Sequence, residues 1–394
     1  MLRQTVPLNV LRAEGAFFSG HALSRRLLDS IASTLNPDSV VADPACGAGD
    51  LLIAASDRLP IDRDVPATLE LWGRHLIGRD IHQQFIEAAS LRLALAAVAR
   101  GAVRPPGSVI DAPSLVGLSA GSCLDASGAF GRATHFVMNP PFSAMEAPDD
   151  CLWGSGRVNS AAVFLEQVVR SARTGATIAA ILPDVLRSGT RYARWRKLIC
   201  GMLDVQRIEV VGRFAEEVDV DVFIMVGVVV ARRLLHLEAR QWVQAPGPGR
   251  TVGDLFEVSV GPLVPHREPN KGRWGRLVQP GDLPPWQTVR RVAKGRRFSG
   301  STTDGPFVAV RRTSRPGDGI RAVAAAVDLD RPAVVENHLL VLRPRDGAVE
   351  TCERLVQWLR RPETTRWLDE RIRCRHLTVG AVRDLPVWPR DPEQ

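Results

Sequence analysis

Short apolar runs alternate with longer amphipathic stretches from about Ser39 to Val230. The runs Val40–Asp43, Leu76–Asp80, His135–Met138, Thr177–Leu182, Gln206–Val211 and Phe223–Ala231 are too short for buried helices and rich in Val and Ile, so they read as strands. Between them, Gln83–Arg100 repeats Phe85, Ala88, Ala89, Leu93 and Ala96 at helical spacing, and Ala161–Arg173 sets Val163, Phe164, Val168 and Val169 close to one face. Strand–helix alternation of this kind predicts βα units, a mainly parallel sheet and helices on both of its faces: an α/β, Rossmann-like domain. The segment Arg58–Trp72, rich in charge and proline, reads as an insertion between two such units.

The pattern breaks at Ala245-Pro-Gly-Pro-Gly249 and stays rich in proline and glycine through Pro285, which predicts two domains, residues 1–240 and 241–394. In the second, β-like segments at Phe307–Arg311, Ala322–Val327 and Leu339–Leu342 precede a helix near Cys352–Leu359, so a smaller α+β or mostly β domain is expected. Charge follows the same division. Residues 1–239 carry 24 Lys+Arg against 25 Asp+Glu, whereas residues 240–394 carry 27 against 18, and the net excess of +8 lies in the last two fifths. A neutral part followed by a basic one suits a catalytic domain joined to a polyanion-binding one, or an arginine-rich composition alone. The six cysteines lack CxxC spacing, which points to reduced thiols and to no zinc site. Neither a membrane span nor a secretory leader is legible, so a cytoplasmic location is expected.

Two strings carry candidate chemistry. Val40-Val-Ala-Asp43-Pro-Ala45-Cys46-Gly47-Ala-Gly49-Asp50 ends a strand on an acid and opens a helix through a small-residue turn. Glycines there let a ligand approach the backbone and leave helix N-terminal N–H groups available, as in nucleotide sites or in a merely structural βα turn. Asp80 stands at the end of the next strand, where a carboxylate can accept from both hydroxyls of a ribose, and Asp125 is placed to accept from an adenine amine.

The second string is His135-Phe-Val-Met-Asn139-Pro140-Pro141-Phe142. The N6 lone pair of adenine is delocalised into its ring, which makes the amine a weak nucleophile. Acceptors set against its two N–H bonds favour a pyramidal, more reactive nitrogen. The Asn139 side-chain oxygen and the Pro140 carbonyl are such acceptors, consecutive prolines fix their orientation, and Phe142 offers a face on which an extruded base can stack.

Ala16-Phe17-Phe18-Ser19-Gly20, then DPACGAGD, then NPPF, then a C-terminal extension is an order that resembles the gamma-class N6-adenine DNA methyltransferases of restriction-modification systems. The resemblance covers roughly residues 14–235. It implies S-adenosylmethionine as cofactor, with Phe17, Phe18 and Ser19 covering its methionine part, although the family's Tyr-Thr-Pro-like string is here Phe18-Ser19-Gly20. It further implies that Asp43, Ala45, Cys46, Gly47 and Gly49 hold the methionine end, Asp80 the ribose and Asp125 the adenine, with Ile81 also among the cofactor-binding residues. Phe214 is similar in position to an aromatic that packs on the flipped base, or is a core phenylalanine. His376–Val387 resembles the strings that close target-recognition regions.

In the basic part Arg290, Arg291, Lys294, Arg296 and Arg297 cluster, and Arg311 and Arg312 follow. Such clusters neutralise phosphates without reading bases. Duplex DNA is the expected partner, with a cognate restriction endonuclease or specificity subunit beside it, and no metal is expected. Two rivals stay open: the same core acting on RNA adenine or protein glutamine, and a non-catalytic DNA-binding specificity subunit.

Overall fold

The computed structural model describes residues 19–104, 117–122, 128, 130–215, 218–231, 242–243 and 249–387. The chain divides into two units, Met1–Arg187 with Arg191–Arg240, and Ser188–Thr190 with Gln241–Gln394.

The first unit begins α1 (Gly20–Asp29), β1 (Val41–Asp43), α2 (Asp50–Ser56), α3 (Val65–His75), β2 (Leu76–Asp80), α4 (Gln83–Ala99), β3 (Leu118–Ala120) and β4 (His135–Met138). It continues β5 (Ala144–Glu146), β6 (Arg157–Asn159), α5 (Ser160–Ser171), β7 (Thr177–Pro183), α6 (Ala193–Cys200), β8 (Leu203–Ala215) and β9 (Val218–Val229). Seven strands form one sheet in the order β3-β2-β1-β4-β7-β9-β8. The pairs from β3 to β7 are parallel, and β9 runs antiparallel to both of its neighbours. From β1 the chain winds out to β2 and β3, then returns to β4 on the other side of β1. Ligands of open α/β sheets bind outside the carboxyl ends of strands at such a reversal.

Every residue of β4 and β7 is buried, which accounts for their unbroken apolar runs. Leu27, Leu28, Leu51, Leu52, Trp72 and Leu93 pack on Val41, Val137, Ile181 and Ile224 to form the core. Most of the segment expected to be an insertion is helix α3. Asp64 caps it by accepting from the Ala67 N–H at 2.9 Å, and a proline stands in its first turn. The charge and proline of this segment are helix-start signals. Its Val65, Leu69 and Trp72 are buried, and Trp72 donates to the Pro60 carbonyl at 2.9 Å. Strand β8 extends beyond Gln206–Val211 at both ends; as an edge strand it keeps polar residues such as Asp204 and Arg213.

The second unit contains α7 (Val252–Leu255), β10 (Phe256–Val260), β11 (Arg273–Val278), β12 (Thr288–Val289), β13 (Gly295–Phe298) and β14 (Phe307–Arg311). Then come β15 (Ala324–Val327), β16 (Ala333–Val335), β17 (Leu339–Pro344), α8 (Val349–Leu359), α9 (Pro362–Arg371) and α10 (Val379–Arg383). A five-stranded sheet, β10-β17-β14-β15-β12, and a three-stranded one, β13-β11-β16, make this unit α+β. Val308, Val310, Leu340 and Leu342 pack against Leu355, Leu359 and Leu368 from the helices. Arg321 is fully buried beside this core. Its guanidinium donates to Asp369 at 2.6 Å, to Ser314 Oγ at 3.1 Å and to the carbonyls of Ile372 and Cys374 at 3.3 and 3.2 Å. Among the described residues, no helix is long and apolar enough to cross a membrane.

Candidate active site

The parallel register of β1 and β4 sets Val41 beside His135 and Ala42 beside Phe136, so Asp43 and Asn139 leave the sheet at the carboxyl ends of adjacent strands. After β1 the chain turns through Gly47 and Gly49, whose φ values of +51° and +83° are left-handed. A side chain at Gly49 would also stand 3.0 Å from Ala89 Cβ, so the residue answers to helix packing as well as to the turn. The turn is held by the Cys46 N–H donating to the Arg79 carbonyl at 2.8 Å and the Gly47 N–H donating to Asp80 Oδ2 at 2.9 Å. Asp80 Oδ1 accepts from the His82 N–H at 3.0 Å, while Ile81 beside it is 67% exposed.

Asp43 is 2% exposed and accepts from the Ala45 N–H at 3.2 Å. Burial is the main reason its carboxyl is held well above the ordinary carboxylate range; the Ala45 hydrogen bond opposes the shift, and the charges of Asp80 and Asp50 add to it. Burial, with Asp43 and Asp80, also pushes the Cys46 thiol well up, so it stays protonated. Asp50 accepts from the Gly20 N–H at 2.8 Å and pairs with Arg92 at 2.8 Å. Three carboxylates thus crowd one glycine turn, and Arg92 answers one of them.

At the end of β4, Asn139 Nδ2 donates to Ser19 Oγ at 3.0 Å. The amide's donor end is therefore turned to Ser19. The following turn is tied to the start of α5: Ser160 Oγ donates to the Pro141 carbonyl at 2.5 Å, Asn159 Nδ2 to the Phe142 carbonyl at 3.1 Å, and the Ser160 N–H to the Ser143 carbonyl at 2.9 Å. These bonds do not engage the Pro140 carbonyl. Asn159 also caps α5 by accepting from the Ala161 N–H at 3.0 Å. Phe142 and Phe214 meet edge to face, ring centres 5.8 Å apart at 85°, and both rest against the main core.

Residues far apart in the chain are therefore brought together here: Ser19 and Gly20, the turn from Asp43 to Asp50, Asp80, and Asn139 to Phe142 with Phe214. Phe17, Phe18 and Asp125 lie outside the described residues. Asn159, Ser160 and Arg92 were not singled out in the sequence, although Asn-Ser before an apolar helical stretch is a capping signal. Among the described residues, no group of three or more His, Cys, Asp or Glu is arranged to hold a metal.

The basic residues fall into two sets. Arg290, Arg291, Lys294 and Arg297 are exposed at or beside β12 and β13, and Arg296 donates to the Glu268 carbonyl at 2.5 Å. Arg311 donates to the carbonyls of Pro280 and Leu283, each at 3.2 Å, and Arg312 to that of Asn337 at 3.5 Å. Arg311 and Arg312 are thus engaged in tying loops.

No family model and no curated protein matches the sequence. Among solved structures, the type IIL restriction-modification enzyme MmeI in complex with DNA aligns with a TM-score of 0.60 at 11% identity, over 97% of this chain and 69% of that one. The type IIG restriction endonuclease BpuSI aligns over 93% of this chain and 57% of its own, with a TM-score of 0.45 and 14% identity. A class I S-adenosylmethionine-dependent methyltransferase fold from Listeria monocytogenes, described as putative, aligns over 59% and 65%, at 0.40 and 16%. The sheet order, its single reversed strand and the MmeI superposition give this chain a Rossmann-like α/β fold with helices on its sheet, followed by an α+β unit.

Proposed function

We propose that the chain transfers a methyl group from S-adenosylmethionine to the N6 amine of adenine in duplex DNA, within a restriction-modification system. In this reading residues 1–240 are the catalytic domain and residues 241–394 the target-recognition domain, with a cognate endonuclease or specificity subunit as partner. The observation that carries it is the position of Asn139, at the end of a strand adjacent to the glycine turn, with its donor end on Ser19 and its turn tied to α5.

The turn after β1 fits the cofactor by charge. A ligand bearing a sulfonium and an ammonium offsets both the burial that chiefly raises the Asp43 pKa and the charges of Asp80 and Asp50 that add to it. In this assignment Ser19, Asp43, Ala45, Cys46, Gly47 and Gly49 hold its methionine part and Asp80 the ribose, with the exposed Ile81 beside it against the cofactor, and Phe17, Phe18 and Asp125 fill the roles that the family resemblance gives them. When bound, S-adenosylmethionine supplies an electrophilic methyl group.

The remaining work falls to the chain's own residues. Asn139 Oδ1 and the Pro140 carbonyl accept from the two N6–H bonds, which localises the lone pair on nitrogen. Fixed oxygens need no reorganisation as the bond forms: Ser19 orients the Asn139 amide, and Asn159 and Ser160 hold the turn that follows the Pro140 carbonyl. Phe142 stacks on the extruded base while Phe214 braces its edge, offsetting part of the few kcal/mol that unstacking costs. Incubation with labelled S-adenosylmethionine and duplex DNA, RNA or total protein, followed by digestion to nucleosides or amino acids, tests the reading. Label is expected in N6-methyldeoxyadenosine; label in RNA, in glutamine, in another base or in none of them would overturn it.

A further inference from the structure

The three-stranded sheet of the second unit has two unlike faces. Its antiparallel pair sets Trp274 opposite Arg297 and Arg273 opposite Phe298, and its parallel pair sets Arg276 beside Ala333 and Leu277 beside Val334. Side chains alternate along a strand, so Leu277, Phe298 and Val334 share one face, where they close a small core with Leu263. On the other face Val278, Ala333 and Val335 enter a second core. Farther along that face the core ends, and Trp274 emerges 42% exposed. Arg276 and Arg331 lie over its indole, their guanidinium carbons 5.3 and 5.6 Å from the ring centre. Gly295, opposite Arg276, gives the ring its seat: a Cβ there would stand 2.4 Å from Trp274 Cζ2. One carboxylate, Asp330, approaches this group, 3.6 Å from Arg276 Nε. Arg297 and Arg331 are exposed, Arg297 with one guanidinium N–H on the Gly272 carbonyl at 3.2 Å.

An indole left partly in water under two guanidinium groups, with Arg297 across the strand pair, gains little from folding, because much of the apolar area is not buried and the like charges repel. Its geometry suits an anion instead. We propose that this end of the sheet is a clamp for the phosphodiester backbone of duplex DNA, in which Trp274 pre-orients Arg276 and Arg331 and Arg297 completes the grip. A guanidinium stacked on an aromatic face has fewer rotamers to lose on binding; the exposed Arg331 turns its edge to the phosphate oxygens, while Arg276, which also donates to the Val292 carbonyl at 3.3 Å, adds its charge beside it. The clamp rests on the reading of the chain as a DNA methyltransferase and adds to it the residues that hold the strand.

The test titrates the full chain with a random-sequence duplex over a series of salt concentrations. Arg276→Gln/Arg331→Gln removes two charges, Trp274→Leu removes the platform, and Gly295→Val displaces the indole while keeping every charge. Thermal melting and S-adenosylmethionine calorimetry confirm that each variant is folded and competent. The double variant is expected to lower the slope of log Kobs against log salt by about 1.8, at ~0.9 per phosphate contact. Trp274→Leu and Gly295→Val are expected to weaken binding by about threefold with a smaller change of slope. Folded, cofactor-competent variants with wild-type affinity and slope would overturn the clamp and leave the methyltransferase reading standing. A wild-type chain that binds no duplex would overturn both.

Discussion

Asp43 and Arg321 are both buried charges, one in each unit, and they are treated in opposite ways. Arg321 is surrounded by Asp369, Ser314 and two carbonyls, each within hydrogen-bond distance. Asp43 has the Ala45 N–H for a partner and two further carboxylates for neighbours. Burying a charge is tolerable when its bonds and counter-charge come with it, and costly otherwise. A saturated buried charge therefore marks architecture, and an under-compensated one at a strand's carboxyl end marks a place kept for a ligand of opposite sign. The lesson is that the manner of compensation, more than burial itself, separates the two roles.

The comparison breaks first at Arg321. Arg321→Met strands Asp369 and two loop carbonyls, and denaturant melts should show the second unit losing about 3–5 kcal/mol, with S-adenosylmethionine still bound by the first. Asp43→Asn runs the other way. Calorimetry should show S-adenosylmethionine affinity falling by about tenfold, ~1.4 kcal/mol, while the cofactor-free chain melts higher than wild type. The sign follows from linkage: a carboxyl whose folded pKa is raised adds nothing below its unfolded pKa and destabilises above its folded one. The gain from Asp43→Asn should therefore be widest at neutral and higher pH and should vanish as pH falls below the unfolded value; a gain that grew on acidification would contradict it.

Smaller effects sharpen the same contrast. Asn159→Ala removes the α5 cap, worth about 1 kcal/mol, and releases the Phe142 carbonyl, so kcat for methyl transfer should fall while cofactor affinity holds. Phe214→Leu removes an edge-to-face contact worth about 0.5–1.5 kcal/mol, and is expected to raise KM for DNA more than it lowers kcat.

Much of the first unit was legible because burial on both faces of a parallel sheet leaves apolar runs, as in Phe136–Met138 and Ile178–Leu182, and the expected bounds His135–Met138 and Leu76–Asp80 match the strands observed. The segment read as an insertion carries helix α3, which composition alone did not reveal, because a capping Asp and a proline also occur in loops; Val65, Leu69 and Trp72 reaching the core mark it as a helix. Strand β3 and the β5–β6 hairpin are short and partly exposed, and so carry little periodic signal. At the site, Asp43, Gly47, Asp80 and Asn139 announced themselves by residue type at strand ends. Asn159, Ser160 and Arg92 act across the fold on groups far away in sequence, and no local pattern assigns a side chain its distant carbonyl. In the second unit the basic cluster was visible as composition, but which arginines tie loops and which face water depends on tertiary structure alone.

The central claim is that Asn139 presents acceptor oxygen to an adenine amine beside the cofactor turn. Long-read modification sequencing of DNA from cells expressing the chain, or the Asn139→Ala variant, addresses it most directly. The account predicts N6-methyladenine at one short motif with the wild-type chain and none with the variant; modification that persists in the variant, or appears on a base other than adenine, would contradict it.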